Sequence, residues 1–362
     1  MKNTFGNSVA VTLFGESHGD YIGAVIDGLS PGITIDHEYI AAMLTLRRPS
    51  GKISTPRQEQ DAYRIVSGVV NNRTTGTPLT ILIPNENVNS ADYDGMRTVA
   101  RPSHADYTAE CKYHGCQDSR GGGHFSGRIT AALVAAGAIC RYALEQKGIR
   151  IATHLKRCGG VEDRDFADLS LDIDSLNQKA FGVLEDAASA AMQEAILAAA
   201  SDGDSVGGVL ETAIIGMPAG VGEPWFDTVE GTLSHMLFSI PAIKGVEFGA
   251  GFALADRRGS TANDPLRMED GRVVTATNHN GGINGGITNG MPLLFRTAVK
   301  PTPTIFKVQD TVDMSNLTET TLMPKGRHDP AIVHRARVVQ DAATAIVLCD
   351  ALALRYGTDW LK

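Results

Sequence analysis

Apolar residues along the chain fall into short runs bounded by turn-forming residues, a pattern typical of β-strands. Residues 9–14 and 21–26 flank a polar turn, and residues 65–70 and 79–83 form two further runs. In the second half of the chain, the same pattern occurs at residues 206–215 and 242–253. The runs are grouped like hairpins and do not alternate with helices, so the pattern favours antiparallel sheets over a doubly wound parallel sheet.

Two longer segments are apolar on almost every helical face. Residues 127–147 are rich in alanine and stop at Gly148, and residues 331–356 close the chain. A helix without a polar face is normally buried between other layers. Shorter helices are predicted after the N-cap residue Asp36, reaching about Leu46, and over residues 173–177, 183–200 and 228–237.

Together these elements predict an α+β fold, a sandwich of antiparallel sheets around long buried helices. An internal duplication would explain why each long helix follows a loop with arginine and histidine, although the two sequences differ too much to claim a repeat. The partial dinucleotide fingerprint Gly249-Ala250-Gly251 is not followed by a predicted helix, which argues against a Rossmann site. We expect one domain over residues 1–362.

Composition limits the class of protein. With 362 residues, 43% of them hydrophobic, the chain can bury a large core. No run approaches the roughly 18 apolar residues of a membrane span, and the first residues lack the apolar stretch of a signal peptide. We therefore expect a cytoplasmic protein with no membrane partner. The five cysteines form no C-x-x-C pair, so we expect free thiols and no metal site.

The formal net charge of −8 disfavours nucleic acid as a partner. Basic residues nevertheless gather in loops rich in glycine and proline: Arg47, Arg48, Lys52, Arg57, Arg97, Arg101, Arg120, Arg128, Lys325 and Arg327. Cations placed in the loops of an acidic protein indicate a small, highly anionic ligand, with solvated surface charge as the alternative for any single arginine. The glycine-rich residues 279–290 indicate a main chain that a ligand approaches closely, with a flexible surface loop as the alternative.

The stretch Gly15-Glu16-Ser17-His18-Gly19 fits the G-x-S-x-G pattern of a hydrolase nucleophile elbow. That motif requires a strand, a sharp turn at the serine and then a helix. Here the β-branched, glycine-punctuated residues after Ser17 predict a second strand. We therefore interpret His18 as the chemically active residue, on a hairpin turn where its ring can exchange protons near neutral pH.

Several longer motifs resemble those of the chorismate synthase family. They are "GESHGDYIGAVIDGLSPG", "RPSHADYT", "GGGHFSGRITAALVAAGA", "GDSVGG", "GMPAGVGEP", "SIPAIKGVEFG", "NHNGGINGGITNG", "KPTPTI" and "KGRHDPAIVHRA", in family order over essentially the whole chain. The resemblance implies an anti-1,4-elimination of phosphate from 5-enolpyruvylshikimate 3-phosphate, which gives chorismate with reduced FMN and no net redox change. It also implies a homotetramer and either NADPH or a separate flavin reductase as the source of reduced flavin.

The resemblance also implies roles for individual residues. His18 is similar to the family's general acid toward the reduced flavin, His104 to the histidine near the leaving phosphate, and Asp329 to an aspartate near the flavin that helps to take the substrate's proton. The positions that match substrate contacts are Arg47, Arg48, Lys52, Arg101, Arg128 and Arg327. Nothing in the sequence around four other histidines suggests a site, and we interpret them as structural or surface residues: His37, His114, His154 and His235.

Flavin contacts in the family match His124, Phe125, Ser126, Ala242, Gly285, Lys300, Pro301, Thr302, Pro303, Thr304 and Arg327. Many members have a basic residue and two small hydroxyl residues at the first three positions, and most have glutamate where this chain has Asp341. These departures put individual contacts in doubt. Two other functions remain open: a flavoprotein that oxidises a small anion, and a non-catalytic binder of sugar phosphates.

Overall fold

A computed structural model describes residues 2–49, 51–55, 60–86, 98–324 and 329–362. Its helices are α1 (His37–Arg47), α2 (Asp106–Tyr113), α3 (Thr130–Gln146), α4 (Leu169–Gln178), α5 (Asp186–Ser201), α6 (Val229–Leu237), α7 (Gly259–Ala262) and α8 (Val333–Tyr356). Its strands are β1 (Thr4–Phe5), β2 (Ala10–Gly15), β3 (Tyr21–Asp27), β4 (Arg64–Ser67), β5 (Val69–Val70), β6 (Arg73–Thr74), β7 (Leu79–Pro84), β8 (Arg150–Cys158), β9 (Val161–Glu162), β10 (Gly208–Ile215), β11 (Ile243–Phe248), β12 (Leu266–Glu269), β13 (Arg272–Thr275), β14 (Ile283–Asn284), β15 (Ile287–Thr288), β16 (Leu293–Val299), β17 (Gln309–Asp313) and β18 (Thr318–Leu322).

Five strands form the first sheet in the order β1-β2-β3-β7-β4, and all neighbours are antiparallel. Strands β2 and β3 pair from Ala10↔Asp27 to Gly15↔Ile22, so the turn between them carries His18. Both strands were predicted from the sequence and are confirmed. Because a strand and not a helix follows the turn, the geometry of a nucleophile elbow is absent from this described segment.

One predicted strand of this sheet is interrupted. The run at residues 65–70 divides into β4 and β5 at Gly68, which has φ +80°. A Cβ at Gly68 would lie 2.5 Å from the Cα of Leu79, so the chain bends where glycine lets two strands approach closely.

The second sheet has the order β11-β16-β10-β8-β9 and is also antiparallel. Strand β10 confirms the prediction for residues 206–215. The predicted strand over residues 242–253 is wrong beyond Phe248, where β11 ends and a 3₁₀ turn follows over Gly251–Asp256. Gly249 and Gly251 have φ +56° and +55°, and this left-handed backbone ends the strand. The hydrophobic pattern did not predict β8 and β16, although both are interior strands of the sheet.

The two long helices lie between the sheets. Helix α3 packs on β3 and β7 of the first sheet, α8 packs on β8 and β10 of the second, and the two helices contact each other. A Cβ on Gly137 would lie 2.5 Å from the Cβ of Ala342, so the helices come as close as glycine and alanine permit. The predicted sandwich around buried helices is confirmed.

Helix α3 also has the composition of a membrane span. The helical segment Gly127–Gln146, which contains α3, has an 18-residue window with a mean hydropathy of 1.2, but 83% of that window is buried inside the protein, as in a core helix. The shorter predicted helices are confirmed with shifted ends: Asp36 caps α1 by accepting from the backbone N of Tyr39 at 2.9 Å, and α4, α5 and α6 occupy the other predicted positions.

Buried polar side chains join the helices to the second sheet. Arg141 of α3 donates to the carbonyl oxygen of Ile151 at 2.6 Å and to Asn177 Oδ1 at 2.7 Å. Its Nη1 lies 3.6 Å from Asp341 Oδ2, and the other oxygen of Asp341 accepts from Thr153 Oγ1 at 2.6 Å. Asp341 therefore connects α8 with both α3 and β8.

A buried histidine joins two strands of the same sheet. His154 of β8 is fully buried, with Nδ1 2.8 Å from Asp163 Oδ2 and Nε2 3.0 Å from Glu211 Oε2. Burial alone would lower the pKa of His154, but the hydrogen bonds and charges of the two carboxylates outweigh it and raise the pKa. The interpretation of His154 as structural agrees with this position.

This pKa shift predicts a pH-dependent stability. A raised folded-state pKa stabilises the fold fully below the unfolded value of about 6.5, and the stabilisation is lost as pH rises through the folded-state pKa. We expect the free energy of unfolding to fall as the pH rises over that range. The variant His154→Gln should lose this dependence of the free energy of unfolding on pH, and it should be about 3–5 kcal/mol less stable than the wild type at pH 6. Denaturant unfolding at one protein concentration, from pH 5.5 to 9, measures both.

The control is His37→Gln, because His37 is exposed and bonds only Tyr63 among the contacts described for it. It should retain the slope of the wild type. An unchanged slope in His154→Gln would show that His154 is not the titrating group.

Candidate active site

One cavity of 780 Å³ lies where the first sheet, both long helices and the loop after β16 meet. Its size is that of a pocket for small organic ligands. Most of the predicted site residues line it: Arg47, Arg101, His104, His124, Phe125, Ser126, Arg128, Ala242, Lys300, Thr302, Pro303, Thr304 and Asp329. The structure therefore brings together side chains from regions of sequence up to 282 residues apart (329 − 47).

A loop of three glycines separates the two predicted catalytic histidines. Gly121, Gly122 and Gly123 all have positive φ, from +53° to +86°. A Cβ on Gly121 would lie 2.6 Å from His18 Nε2, and a Cβ on Gly122 would lie 3.3 Å from His104 Cε1. The glycines let the main chain pass between the imidazole rings, so His18 lies behind the cavity wall that Gly121 forms and His104 lies in the wall itself.

His104 belongs to a hydrogen-bonded group that also contains Asp106 and Arg101. His104 Nδ1 lies 2.8 Å from Asp106 Oδ1, and Arg101 donates to both oxygens of Asp106, from Nη2 at 2.7 Å and from Nε at 2.8 Å. Burial alone would raise the pKa of Asp106, but these hydrogen bonds outweigh it and hold the pKa well below its usual value. His104 Nδ1 also lies 3.1 Å from Arg101 Nη2, but the nearer, charged Asp106 oxygen can only accept and therefore keeps a proton on Nδ1, so that Nε2 is the nitrogen left for a ligand.

Asp329 is held by the first turn of α8. Its Oδ1 accepts from the backbone N of Thr55 at 2.8 Å, and its Oδ2 accepts from Arg335 Nη1 at 2.7 Å. Arg335 also donates from Nε to the carbonyl oxygen of Arg47 at 2.8 Å. Sequence reasoning missed Arg335, which lines the cavity and lies within the "KGRHDPAIVHRA" motif.

Asp61 joins two of the predicted substrate-binding arginines. Its fully buried carboxylate accepts from Arg47 Nη2 at 2.6 Å and from Arg128 Nη1. Burial would raise the pKa of Asp61, but the charges and hydrogen bonds of Arg47 and Arg128 outweigh it and lower the pKa. Sequence reasoning missed Asp61, whose backbone has the left-handed φ of +53° that a non-glycine residue adopts at a cost.

The side of the cavity predicted to hold a flavin combines flat apolar surface with unused polar atoms. Phe125 remains 39% exposed and contacts Tyr113 edge-on. Ala242 has φ +75°, a strained conformation that brings its main chain to the cavity. The hydroxyl of Thr302 is buried and has no hydrogen-bond partner among the described residues. A buried polar group in this state is suited to a ligand atom.

The first departure from the family pattern also has a structural partner. His124 Nδ1 lies 2.7 Å from the carbonyl oxygen of Gly15. Because a carbonyl only accepts, Nδ1 carries the proton, and the Nε2 of a neutral ring is an acceptor. His124 thus ties the glycine loop to the end of β2.

Some predicted residues lie elsewhere. Lys52 is exposed, Gly285 lies on the exposed turn between β14 and β15 with open space around it, and neither these nor Pro301 lines the cavity. Arg48 does not line the cavity, but its Nε lies 3.8 Å from Oδ2 of Asp61, the carboxylate that binds the lining residues Arg47 and Arg128. Arg327 and its neighbours in 325–328 lie outside the described residues, as do Arg57 and Arg97.

Conversely, His235 was interpreted as structural or surface, but it lines the cavity beside Phe5.

Comparison with known proteins gives full-length matches. A sequence model of the family described as chorismate synthase matches residues 9–353. A chorismate synthase of Thermococcus kodakarensis is 44% identical over 350 residues, which is 97% of each chain. One from Dehalococcoides mccartyi is 46% identical over 360 residues, 99% of this chain and 98% of the relative. A crystal structure of chorismate synthase superposes with a TM-score of 0.76 at 29% identity, over 97% of this chain and 94% of the other.

The glycine loop gives a prediction that does not depend on any ligand. In Gly121→Ala, the new methyl group would overlap the His18 ring, so we expect the ring to move and its ¹³Cε1 signal to shift in histidine-labelled protein. The positive φ alone should cost about 1–2 kcal/mol of stability. Gly271→Ala is the matched control, because Gly271 has φ +76° and a methyl group there would meet nothing within 4 Å. An unmoved His18 signal in Gly121→Ala would contradict the close contact.

Proposed function

Because the chain belongs to the chorismate synthase family, we propose that its cavity binds 5-enolpyruvylshikimate 3-phosphate with reduced FMN and eliminates phosphate in an anti-1,4 sense to give chorismate. Family membership makes the protein a lyase of the shikimate pathway, which leads to the aromatic amino acids. The use of FMN, the residues below and their roles are parts of the proposal.

The observation that supports the proposal best is the convergence of cations and His104 at one cavity, with His18 directly behind its wall. Its lining includes Arg47, Arg101, Arg128, Lys300 and Arg335. The substrate carries two carboxylates and a phosphate, groups that guanidinium forks bind bidentately. His104 lines the same space, and we assign its imidazolium form, which carries a proton on Nε2 as well as on Nδ1, to the protonation of the leaving phosphate, with Asp106 holding the ring in position.

Asp329 is assigned to the proton that the substrate ring loses. Each of its oxygens already accepts one hydrogen bond, from Thr55 and from Arg335, and these bonds fix the carboxylate against the cavity. A carboxylate oxygen has a second lone pair, so both oxygens can still accept a proton or a further hydrogen bond. His18 is assigned as a proton donor behind Gly121, toward the flavin side of the cavity.

The residues present fit a flavin. Thr302 offers a buried hydroxyl without a partner among the described residues, Ala242 offers main chain, and Phe125 offers an apolar surface. Lys300 lies next to them and donates from Nζ to the carbonyl oxygen of Ser103 at 2.6 Å. The chemistry that reduced FMN supplies when bound is a transient donation of electron density, which side chains cannot provide. The reductant, NADPH or a separate flavin reductase, stays a prediction.

We also propose a cytoplasmic homotetramer. Trp225, Phe226 and Phe252 are 85%, 94% and 83% exposed in the single chain, far more than large aromatic side chains usually are. Exposed aromatic residues of this kind are typical of protein interfaces, and these support burial between subunits.

The assay of the proposed function compares variants of Ser17, His18 and His104. Purified protein receives the substrate and FMN without oxygen, first with dithionite and then with NADPH alone, and chorismate, phosphate and the flavin spectrum are measured. We expect His18→Ala and His104→Ala to lower the elimination rate by about 10² to 10⁴, the range for losing a general acid or base. Ser17→Ala should keep substantial activity because no covalent intermediate is formed on it.

The two outcomes that overturn this assignment differ. If Ser17→Ala has no measurable activity while His18→Ala is nearly as active as the wild type, Ser17 is a nucleophile and the assignment of His18 is wrong. In a parallel reaction with oxidised FMN and no reductant, an oxidised product formed together with an equal amount of reduced flavin would instead show an oxidation of the bound anion.

The flavin site is tested by one hydroxyl. Thr302→Val keeps the shape of the side chain and removes the buried hydroxyl, so FMN binding should weaken by about 2- to 10-fold, the value of one hydrogen bond, while stability is unchanged or rises. Thr344→Val is the matched control, because Thr344 is buried in α8 with an equally unpartnered hydroxyl among the described residues and does not line the cavity. Flavin fluorescence quenching gives both affinities. Equal affinities in the two variants would remove Thr302 from the flavin site.

A further inference from the structure

Asn85 connects the turn of His18 with an arginine of the cavity. It follows the last residue of β7, the strand that pairs with β3. Its Nδ2 donates to the carbonyl oxygens of Glu16 at 3.0 Å and of Gly19 at 2.7 Å. Its Oδ1 accepts from Arg128 Nε at 2.9 Å. Every hydrogen-bonding atom of this amide thus has a partner in one of two functional regions.

The turn depends on this amide for its shape. The two carbonyls lie on either side of His18, and the backbone N of Gly19 donates to the carbonyl oxygen of Glu16 at 3.1 Å to close the turn. The backbone N of Asn85 donates to the carbonyl oxygen of Asp20 at 3.1 Å. The same residue therefore holds the turn at three main-chain carbonyls.

The guanidinium of Arg128 is fixed from the same place. In addition to its bond to Asn85, Arg128 donates from Nη2 to the carbonyl oxygen of Pro84 at 3.0 Å and pairs with Asp61. Residues 84 and 85 thus set the orientation of a guanidinium that lines the cavity. A shift of Arg128 would be transmitted through a single amide to the His18 turn.

We propose that Asn85 is a positioning residue that couples Arg128 to His18. It keeps an anion that is bound at Arg128 and the imidazole ring of His18 in a fixed relative position during the elimination. The proposal rests on the function proposed above for the activity it affects, but the coupling itself is a property of the protein without ligand. Asparagine suits the position because its amide offers two donors and an acceptor on a short side chain. Aspartate would keep the acceptor for Arg128 and lose both donors to the turn.

The coupling is tested without substrate or flavin. In protein labelled with [¹³Cε1]histidine and assigned with His18→Gln, we expect Asn85→Ala to shift or broaden the His18 signal. Arg128→Lys keeps a cation near Asp61 but removes the Nε bond to Asn85, and it should also shift the signal. In the Asn85→Ala background, Arg128→Lys should add less than a third of its effect in the wild type. Equal effects in both backgrounds, or an unmoved signal in Asn85→Ala, overturn the coupling.

The consequence for catalysis is tested by kinetics on the flavin-loaded enzyme. Asn85→Ala should lower kcat at least tenfold through the His18 turn and raise KM for 5-enolpyruvylshikimate 3-phosphate at least threefold through Arg128. Asn85→Asp, which keeps the bond from Arg128 and loses both donors to the turn, should lower kcat by a similar factor.

Asn177→Ala is the matched control, because Asn177 also accepts from a buried arginine, Arg141, but lies away from the cavity. It should keep kcat and KM within twofold of the wild type. If Asn85→Ala behaves like Asn177→Ala, Asn85 is a structural residue and the inference is wrong. If the wild type forms no chorismate, the proposed function fails, and the histidine signals still decide the coupling.

Discussion

The contact between helices α3 and α8 determines where the functional side chains lie. Arg128 precedes α3 by two residues and Arg335 lies in the first turn of α8, so the packing of these helices brings both guanidinium groups to one cavity. The contact needs Gly137 and Ala342, because a larger side chain at either position would push the helices apart. The sheets on either side then add the His18 turn from one layer and the strand before Lys300 from the other.

The cavity keeps its cations in place with internal carboxylates. Arg47 and Arg128 share Asp61, while Arg101 binds Asp106. An unpaired buried guanidinium would cost several kcal/mol, so the carboxylates permit a concentration of arginine that an anionic ligand needs. The lowered pKa values of Asp61 and Asp106 keep these carboxylates charged at neutral pH, and the cavity is therefore organised before the ligand arrives. A guanidinium has five N–H donors, so binding one carboxylate does not exhaust it.

The sequence predicts the elements that depend on local pattern and misses those that depend on distant partners. Helices α3 and α8 and the hairpin around His18 carry strong periodic or turn signals, and all were predicted. Strand β8 was missed because it has polar residues at buried positions: Thr153 bonds Asp341 from 188 residues away, and His154 pairs with Glu211 from 57 residues away. Hydrogen bonds to such partners offset the cost of burying a polar side chain. The sequence pattern around β8 does not predict partners that lie so far away in the chain.

The same distinction applies to the site. Motif residues such as His104 and Thr302 line the cavity, and Asp106 could have been found from its place two residues after His104. Asp61 had no comparable signal, because its arginine partners lie 14 and 67 residues away in sequence.

Two of the positions that depart from the family pattern, residues 124 and 341, have partners that explain why the site can keep its form. His124 bonds the carbonyl oxygen of Gly15, and Asp341 bonds Thr153 and lies near Arg141. The first contact holds the glycine loop against the end of β2, beside the His18 turn. The second holds α8 against α3 and the second sheet. Both substitutions therefore act on the supports of the cavity, whereas its arginines and His104 are held by other carboxylates, and the chemistry assigned to them does not require the residues that usually occupy these two positions.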